Sequence, residues 1–108
     1  MVQAIAIAIL TKDVDKIKAL CSEDVVWSIA GSDTYRNHDK IENAVKALSS
    51  SELSEIKIDT AIAHGKKGAA YAMGRYDGST IFVQANIIEF QSAKGNVISK
   101  ITTIETVN

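Results

Sequence analysis

The stretch from Glu55 to Val107 constrains this chain more than any other, because it reads as four long strands separated by tight turns. Turn residues stand at His64-Gly65-Lys66-Lys67-Gly68, at Asp77-Gly78 and at Ala93-Lys94-Gly95-Asn96. An Asp-Gly pair between alternating runs is a strong hairpin signal, since the tight turn needs both central residues at positive φ. Strands of about ten residues exceed the usual length of about five or six. Long strands in a 108-residue chain predict one curved sheet, wrapped around either the helices of the first half or a cavity.

The first half is shorter in signal. Val2 to Leu10 alternates Ile5, Ile7 and Ile9 with Ala4, Ala6 and Ala8, a period suited to a strand, while its alanines suit a buried helix. Asp13 is placed to cap a short helix with Val14, Ile17, Leu20 and Cys21 on one stripe. Asp24 to Ala30 reads as a strand ended by Gly31-Ser32-Asp33. From Asp39 to Leu48, Ile41, Ala44, Val45 and Leu48 recur at i, i+3, i+4 and i+7, which predicts a helix capped by Asn37 or Asp39. The order is helix, helix, strand, helix and a four-strand meander: an α+β chain forming a single domain over residues 1–108.

Composition narrows the partners. A net charge of −1 leaves no clustered basic face for nucleic acid. The apolar start lacks a basic n-region and is too short to span a bilayer, so no membrane partner is expected and a cytoplasmic location is the default. Cys21 is the one cysteine and has no disulfide partner within the chain. Two histidines without HxxxH or CxxC spacing predict neither a metal site nor a cofactor.

The strand around Phe82 carries a clue about assembly. One face holds Phe82, Gln84, Asn86, Ile88 and Phe90, and the other holds Ile81, Val83, Ala85, Ile87 and Glu89. A sheet with one wet face alternates apolar with polar, whereas this strand is mostly apolar on both faces. Three short helices cover one side. The outer side is expected to bury itself in a two-fold homodimer.

Several motifs resemble the nuclear transport factor 2-like superfamily, in its SnoaL-like and ketosteroid-isomerase-like branches. They are Asp13-Val14-Asp15 leading to Leu20, then Glu23-Asp24-Val25-Val26-Trp27, then Tyr35-Arg36-Asn37-His38-Asp39-Lys40-Ile41, and finally Ile88-Glu89-Phe90 with Lys94-Gly95-Asn96-Val97-Ile98. Asn37 stands where the family most often has glycine, and Asn tolerates positive φ better than other non-glycine residues. The resemblance implies a cystatin-like cone in which three N-terminal helices and a curved, mostly antiparallel sheet enclose an apolar pocket for a small hydrophobic molecule.

The same resemblance removes two known chemistries. In the ketosteroid isomerase branch an Asp base works with a Tyr and a protonated Asp; the matching positions here are Ser28, Ile5 and Asn86. The SnoaL-like cyclases use an Asp on the last strand, and the matching position is Thr102. Asn86 keeps a side-chain N–H donor, so the remaining catalytic candidates are Asn86, with Thr102 as a hydroxyl and His64 as a base. His38, at the start of a helix, is expected to be exposed. Trp27, Phe82, Gln84, Asn86, Ile88 and Phe90 are the expected pocket wall. Tyr71 joins them, although it and Tyr76 project from opposite faces of one strand and at most one points inward. The expected function is binding of a small hydrophobic molecule; whether it is an enzyme is left open, and if it is, the activity implied is that of an isomerase, cyclase or hydratase on a carbonyl compound. The alternative is a non-catalytic ligand-sensing or dimerisation domain.

Overall fold

The computed structural model of the chain describes residues 1–48, 55–76 and 80–107. Three helices, α1 (Val2–Leu10), α2 (Val14–Leu20) and α3 (Ile41–Ala47), pack on a six-stranded sheet. The strands are β1 (Cys21–Ile29), β2 (Thr34–Arg36), β3 (Glu55–His64), β4 (Lys67–Tyr76), β5 (Thr80–Phe90) and β6 (Ile98–Val107). Their order across the sheet is β2-β1-β6-β5-β4-β3, so the predicted meander is present and β6 returns beside β1. The β1–β6 pair runs parallel and the other neighbours run antiparallel. The Asp77-Gly78 turn lies outside the described residues.

The Ile/Ala alternation of the first segment resolves as a helix. Val2, Ile5, Ala6 and Ile9 form the buried stripe, at a spacing only a helix brings together, and Ile7 is left 45 % exposed. In α2 the carboxylate of Asp13 accepts from the backbone N–H of Lys16, the expected cap. Cys21 does not extend this helix; its extended backbone opens β1. A short 3-10 turn, His38–Lys40, precedes α3, and neither Asn37 nor Lys40 makes a side-chain cap there. Asn37 has φ of 73°, as expected of a residue standing in for glycine. The strand β2 has no counterpart in the sequence reading; Gly31, at φ of 79°, turns the chain so that Thr34–Arg36 pairs back onto β1.

Two register irregularities shape the part of the sheet that matters most. Asp59 is an extra residue in β3 between Ile58 and Thr60. In β6, Lys100 pairs with Glu89 while Ile98 pairs with Phe90, so Ser99 is extra, and its hydroxyl donates to the Glu89 carbonyl at 3.2 Å. Because of that bulge Ile98 and Ile101, three residues apart, are both fully buried on the inner side. The parity of every later β6 residue is exchanged with it: Thr103 and Glu105 follow Ile101 inward, and Ile104 turns outward.

The core lies between the helices and the inner face, with Trp27, Ile5, Ile9, Ile17, Ile41, Ile88, Ile98 and Ile101 at its centre. Helix α1 approaches β4 closely at Gly68, where an added Cβ would stand 2.6 Å from Val2 Cγ2 and 3.1 Å from the Ile62 carbonyl oxygen. Gly68→Ala is therefore expected to cost about 1–3 kcal/mol in urea unfolding. A Val2→Ala change in that background should recover part of the loss, and purely additive losses would contradict the contact.

Candidate functional site

Register brings the polar residues of the inner face together. Asn86 is paired with Thr103 and Gln84 with Glu105, while Ala70 and Ala72 of β4 flank the two amides on the other side. Alanine is small enough to leave room for an amide side chain beside it. Trp27 reaches the same place from β1, whose inward residues are Val25, Trp27 and Ile29.

These side chains form one continuous hydrogen-bond chain. The Trp27 indole Nε1–H donates to Thr103 Oγ1 at 2.8 Å, and the Thr103 hydroxyl donates to Asn86 Oδ1 at 2.6 Å. Asn86 Nδ2 donates to Gln84 Oε1 at 2.9 Å, and Gln84 Nε2 donates to Glu105 Oε1 at 3.1 Å. The ends set the direction. An indole N–H can only donate, and a carboxylate can only accept. Each group between them must accept from the side of Trp27 and donate toward Glu105, which fixes the orientation of both amides.

The chain runs from deep to shallow. Thr103 and Gln84 have no exposed surface and Asn86 is 1 % exposed, whereas Glu105 is half-buried. A buried amide without a partner costs about 1–3 kcal/mol, so the mutual pairing accounts for how this row is tolerated inside. Asn86, expected to offer its N–H to a ligand, has that group turned to Gln84 instead.

Trp27, Phe82, Gln84, Asn86, Ile88 and Phe90 all lie on the inner side, each at most 4 % exposed. A side chain with almost no surface open to water adjoins no water-sized void. The residues expected to wall an open hollow therefore pack against one another. Trp27, Ile88 and Phe90 belong to the main core, and Phe82 forms a second cluster with Leu10 and Ala72, against which Ile58 packs. Concave surface among the described residues includes a cleft of about 470 Å³ over Lys57, Met73, Arg75 and Ile81. Another, of about 490 Å³, lies around Arg36, Lys40 and Asn43, and a third, of about 300 Å³, around Met1, Ile62 and Phe90. None of these three reaches the amide row.

Other candidates fall elsewhere. Tyr71 is registered to Ala85 on the outer face and is 38 % exposed, so it does not share the face of Asn86; the Tyr76 side chain lies outside the described part. Thr102 pairs with Ile87 and Ser28 and is likewise outward. His64 is exposed at the end of β3, paired with Lys67, three residues beyond the Ala61 that aligns with Ala70 and Asn86. The two positions matched to the missing acids, Ser28 and Thr102, both face outward, and their inward neighbours are Trp27, Ile29, Ile101 and Thr103. None of these neighbours is acidic. Glu105, paired with Gln84, is an inward carboxylate that sequence reasoning missed along with Thr103. The available signal was that Ile98 and Ile101 are three apart, a spacing that a regular strand cannot bury on one side.

His38 is half-buried rather than exposed, with Nε2 2.9 Å from the Cys21 carbonyl oxygen. A carbonyl only accepts, so Nε2 carries the hydrogen and the ring ties the turn before α3 to the start of β1. Burial pushes the Cys21 thiol up from the ordinary 9.0 to about 12, which makes it inert as a nucleophile at neutral pH. Among the described residues no group of three or more His, Cys, Asp or Glu could hold a metal ion, and no helix is long and apolar enough to cross a membrane.

No protein-family model and no curated protein matches the sequence. Solved structures do match in shape. An NTF2-like protein of unknown function from Burkholderia xenovorans superposes with a TM-score of 0.73 at 12% identity, covering 96% of this chain and 78% of that one. The chain has the nuclear transport factor 2-like fold. An uncharacterised protein with a cystatin-like fold from Silicibacter pomeroyi gives a TM-score of 0.72 at 17% identity, covering 96% and 72% of the two chains. An LEH-like epoxide hydrolase from M. tuberculosis gives 0.65 at 17% identity, covering 97% and 79%. At these identities the likeness concerns the fold.

Thr103 is the joint of the chain, because it alone links the indole to the amides. Thr103→Val should lower stability by about 1–3 kcal/mol for each polar group it orphans, namely Trp27 Nε1–H and Asn86 Oδ1, and Thr103→Ser should retain most of it. A double-mutant cycle with Trp27→Phe checks the linkage; simple additivity would argue against it.

Proposed function

We propose that this protein is a small-molecule-binding domain of the nuclear transport factor 2-like fold, with its ligand site at the end of the cone where the hydrogen-bond chain surfaces. The observation that carries this reading is the chain itself. A row of buried polar side chains is a costly way to fill an interior that apolar residues would fill at least as well. The row reaches a half-buried carboxylate, Glu105, next to the apolar cluster of Leu10, Phe82 and Ala72. Ile56, paired with the buried Gly74 in the row that contains Phe82, is 40 % exposed at the same end. A few placed polar groups in apolar surroundings are the usual make-up of a ligand site.

The filled interior, and the lack of an acid among the described inward neighbours of Ser28 and Thr102, weigh toward binding without turnover of the ketosteroid isomerase or SnoaL kind. Thermal unfolding against a library of hydrophobic small molecules tests the reading. A true ligand at 100 times its dissociation constant should add about 2.7 kcal/mol, and the amide resonances it perturbs should cluster at Leu10, Ile58, Phe82 and Glu105. A library without a hit, or hits that map to other surfaces, would overturn the assignment.

A second reading, self-association, is supported by the outer face. There Ile62, Tyr71, Ile87 and Ile104 are 63 %, 38 %, 48 % and 47 % exposed. They occupy adjoining cross-strand rows, Ile62–Ala69–Ile87 and Tyr71–Ala85–Ile104. Single exposed isoleucines are ordinary, but a contiguous patch marks an interface. A row of charges, Lys67, Glu89 and Lys100, borders it on one side. We propose that two copies pack these faces together as a homodimer. Light scattering at micromolar concentration should give twice the chain mass, and Ile104→Asp should give a folded monomer. A monomeric parent chain would end this reading.

A further inference from the structure

The free edge of β2 offers a binding surface that shares no residue with the inner face or the outer apolar patch. We infer that an extended acidic peptide of a partner protein adds to this edge as a strand, with its carboxylates on Arg36 and Lys40. The inference stands apart from the ligand site and the homodimer proposed above.

Among the described residues no strand lies beyond β2. Its pairing with β1 decides which of its backbone groups are already used. The Asn37 N–H donates to the Val25 carbonyl at 2.8 Å, and the Ile29 N–H donates to the Asp33 carbonyl at 3.2 Å. Both contacts keep the register of the Trp27–Tyr35 pair. In an antiparallel ladder, pairs that exchange hydrogen bonds alternate with pairs that do not. Asp33, Tyr35 and Asn37 therefore bond toward β1, and the N–H and C=O groups of Thr34 and Arg36 point away from it. These two donors and two acceptors have the spacing that one further strand matches.

The edge is also walled. The cleft of about 490 Å³ runs along residues 33–37, with Lys40 and Asn43 on its other side. A short strand bearing charge is a common guard against strand addition, but a guarded edge needs no groove beside it. Charge names the occupant. Arg36 and Lys40 are exposed and make no ion pair among the described residues. Asp33 stands at the opposite end of β2, and Asp39 and Glu42 neither line the cleft nor pair with either cation. The Arg36 end of the groove is thus positive, and a carboxylate on an incoming strand gains charge-assisted hydrogen bonds there. A peptide fits better than a small anion, which has no donors for the Thr34 and Arg36 carbonyls.

The test titrates three synthetic peptides into the isotope-labelled full chain. They are acetyl-Thr-Val-Glu-Glu-Val-Thr-amide, its Gln-Gln counterpart, and the acidic peptide N-methylated at alternate residues. The acidic peptide should shift the amides of Thr34 and Arg36 and slow their exchange with solvent about tenfold. Tyr35, already bonded to β1, should keep its exchange rate. The Gln-Gln peptide should bind about tenfold more weakly, and Arg36→Gln and Lys40→Gln should each weaken the acidic peptide about fivefold. Binding that neither the Gln-Gln peptide nor the two variants weaken would overturn the inference. Equal binding by the N-methylated peptide would overturn it too, because it would show a carboxylate site without strand addition. No binding at millimolar peptide has the same consequence. So does protection of Thr34 and Arg36 that rises with the concentration of the chain alone, which would assign the edge to a second copy. Should a variant not fold, the comparison of the three peptides on the parent chain decides.

Discussion

The hydrogen bond from the Trp27 indole to Thr103 is the interaction on which the inner face of this protein depends. It joins β1 to β6, the parallel pair of the sheet, and it supplies the donor that starts the chain. At the other end the Glu105 carboxylate only accepts, so Gln84 turns its NH₂ toward it and its Oε1 toward Asn86. Asn86 must then donate to Gln84 and accept from Thr103, whose hydroxyl also accepts from the indole. A row of amides that would otherwise be ambiguous becomes a directed structure with a carboxylate at its outer end.

The two faces of the meander serve different ends. Inside, Ala70 and Ala72 make space for the amides, and Trp27, Ile88 and Phe90 close the core beyond them. Outside, Tyr71, Ile87 and Ile104 form an apolar surface bordered by charges. The pleat connects the two, since each residue placed inward sets its neighbour outward. A single extra residue at Ser99 therefore decides several side chains at once: it turns Thr103 and Glu105 inward and brings Ile104 onto the outer patch.

Much of the architecture was legible because it follows from local chemistry. Gly65 and Gly95 stand at positive φ where the turns were expected, and Asn37 does the same in place of a glycine. Asp13 caps α2, and the stripe of Ile41, Ala44, Val45 and Leu48 is buried. The three-residue strand β2 escaped notice because its pairing, not its own residues, makes it a strand. The site was less legible. Phe82, Gln84 and Asn86 share one face of β5, as its alternation predicts, whereas the facing of Tyr71 and Thr102 does not follow from local pattern, and both lie on the outer side.

By itself the sequence determined the α+β order, the meander, the turn positions and the alternation within β5, since each depends on residues close together in the chain. Tertiary structure alone decided which face of each strand is the inside, that the interior at the amide row is filled, and that Glu105 is the carboxylate brought to it. Facing is relative: period-two alternation is unchanged when a whole strand is turned over. Only the helices packed against one side, and the bulge at Ser99 that sets β6 in register with β5, break that symmetry.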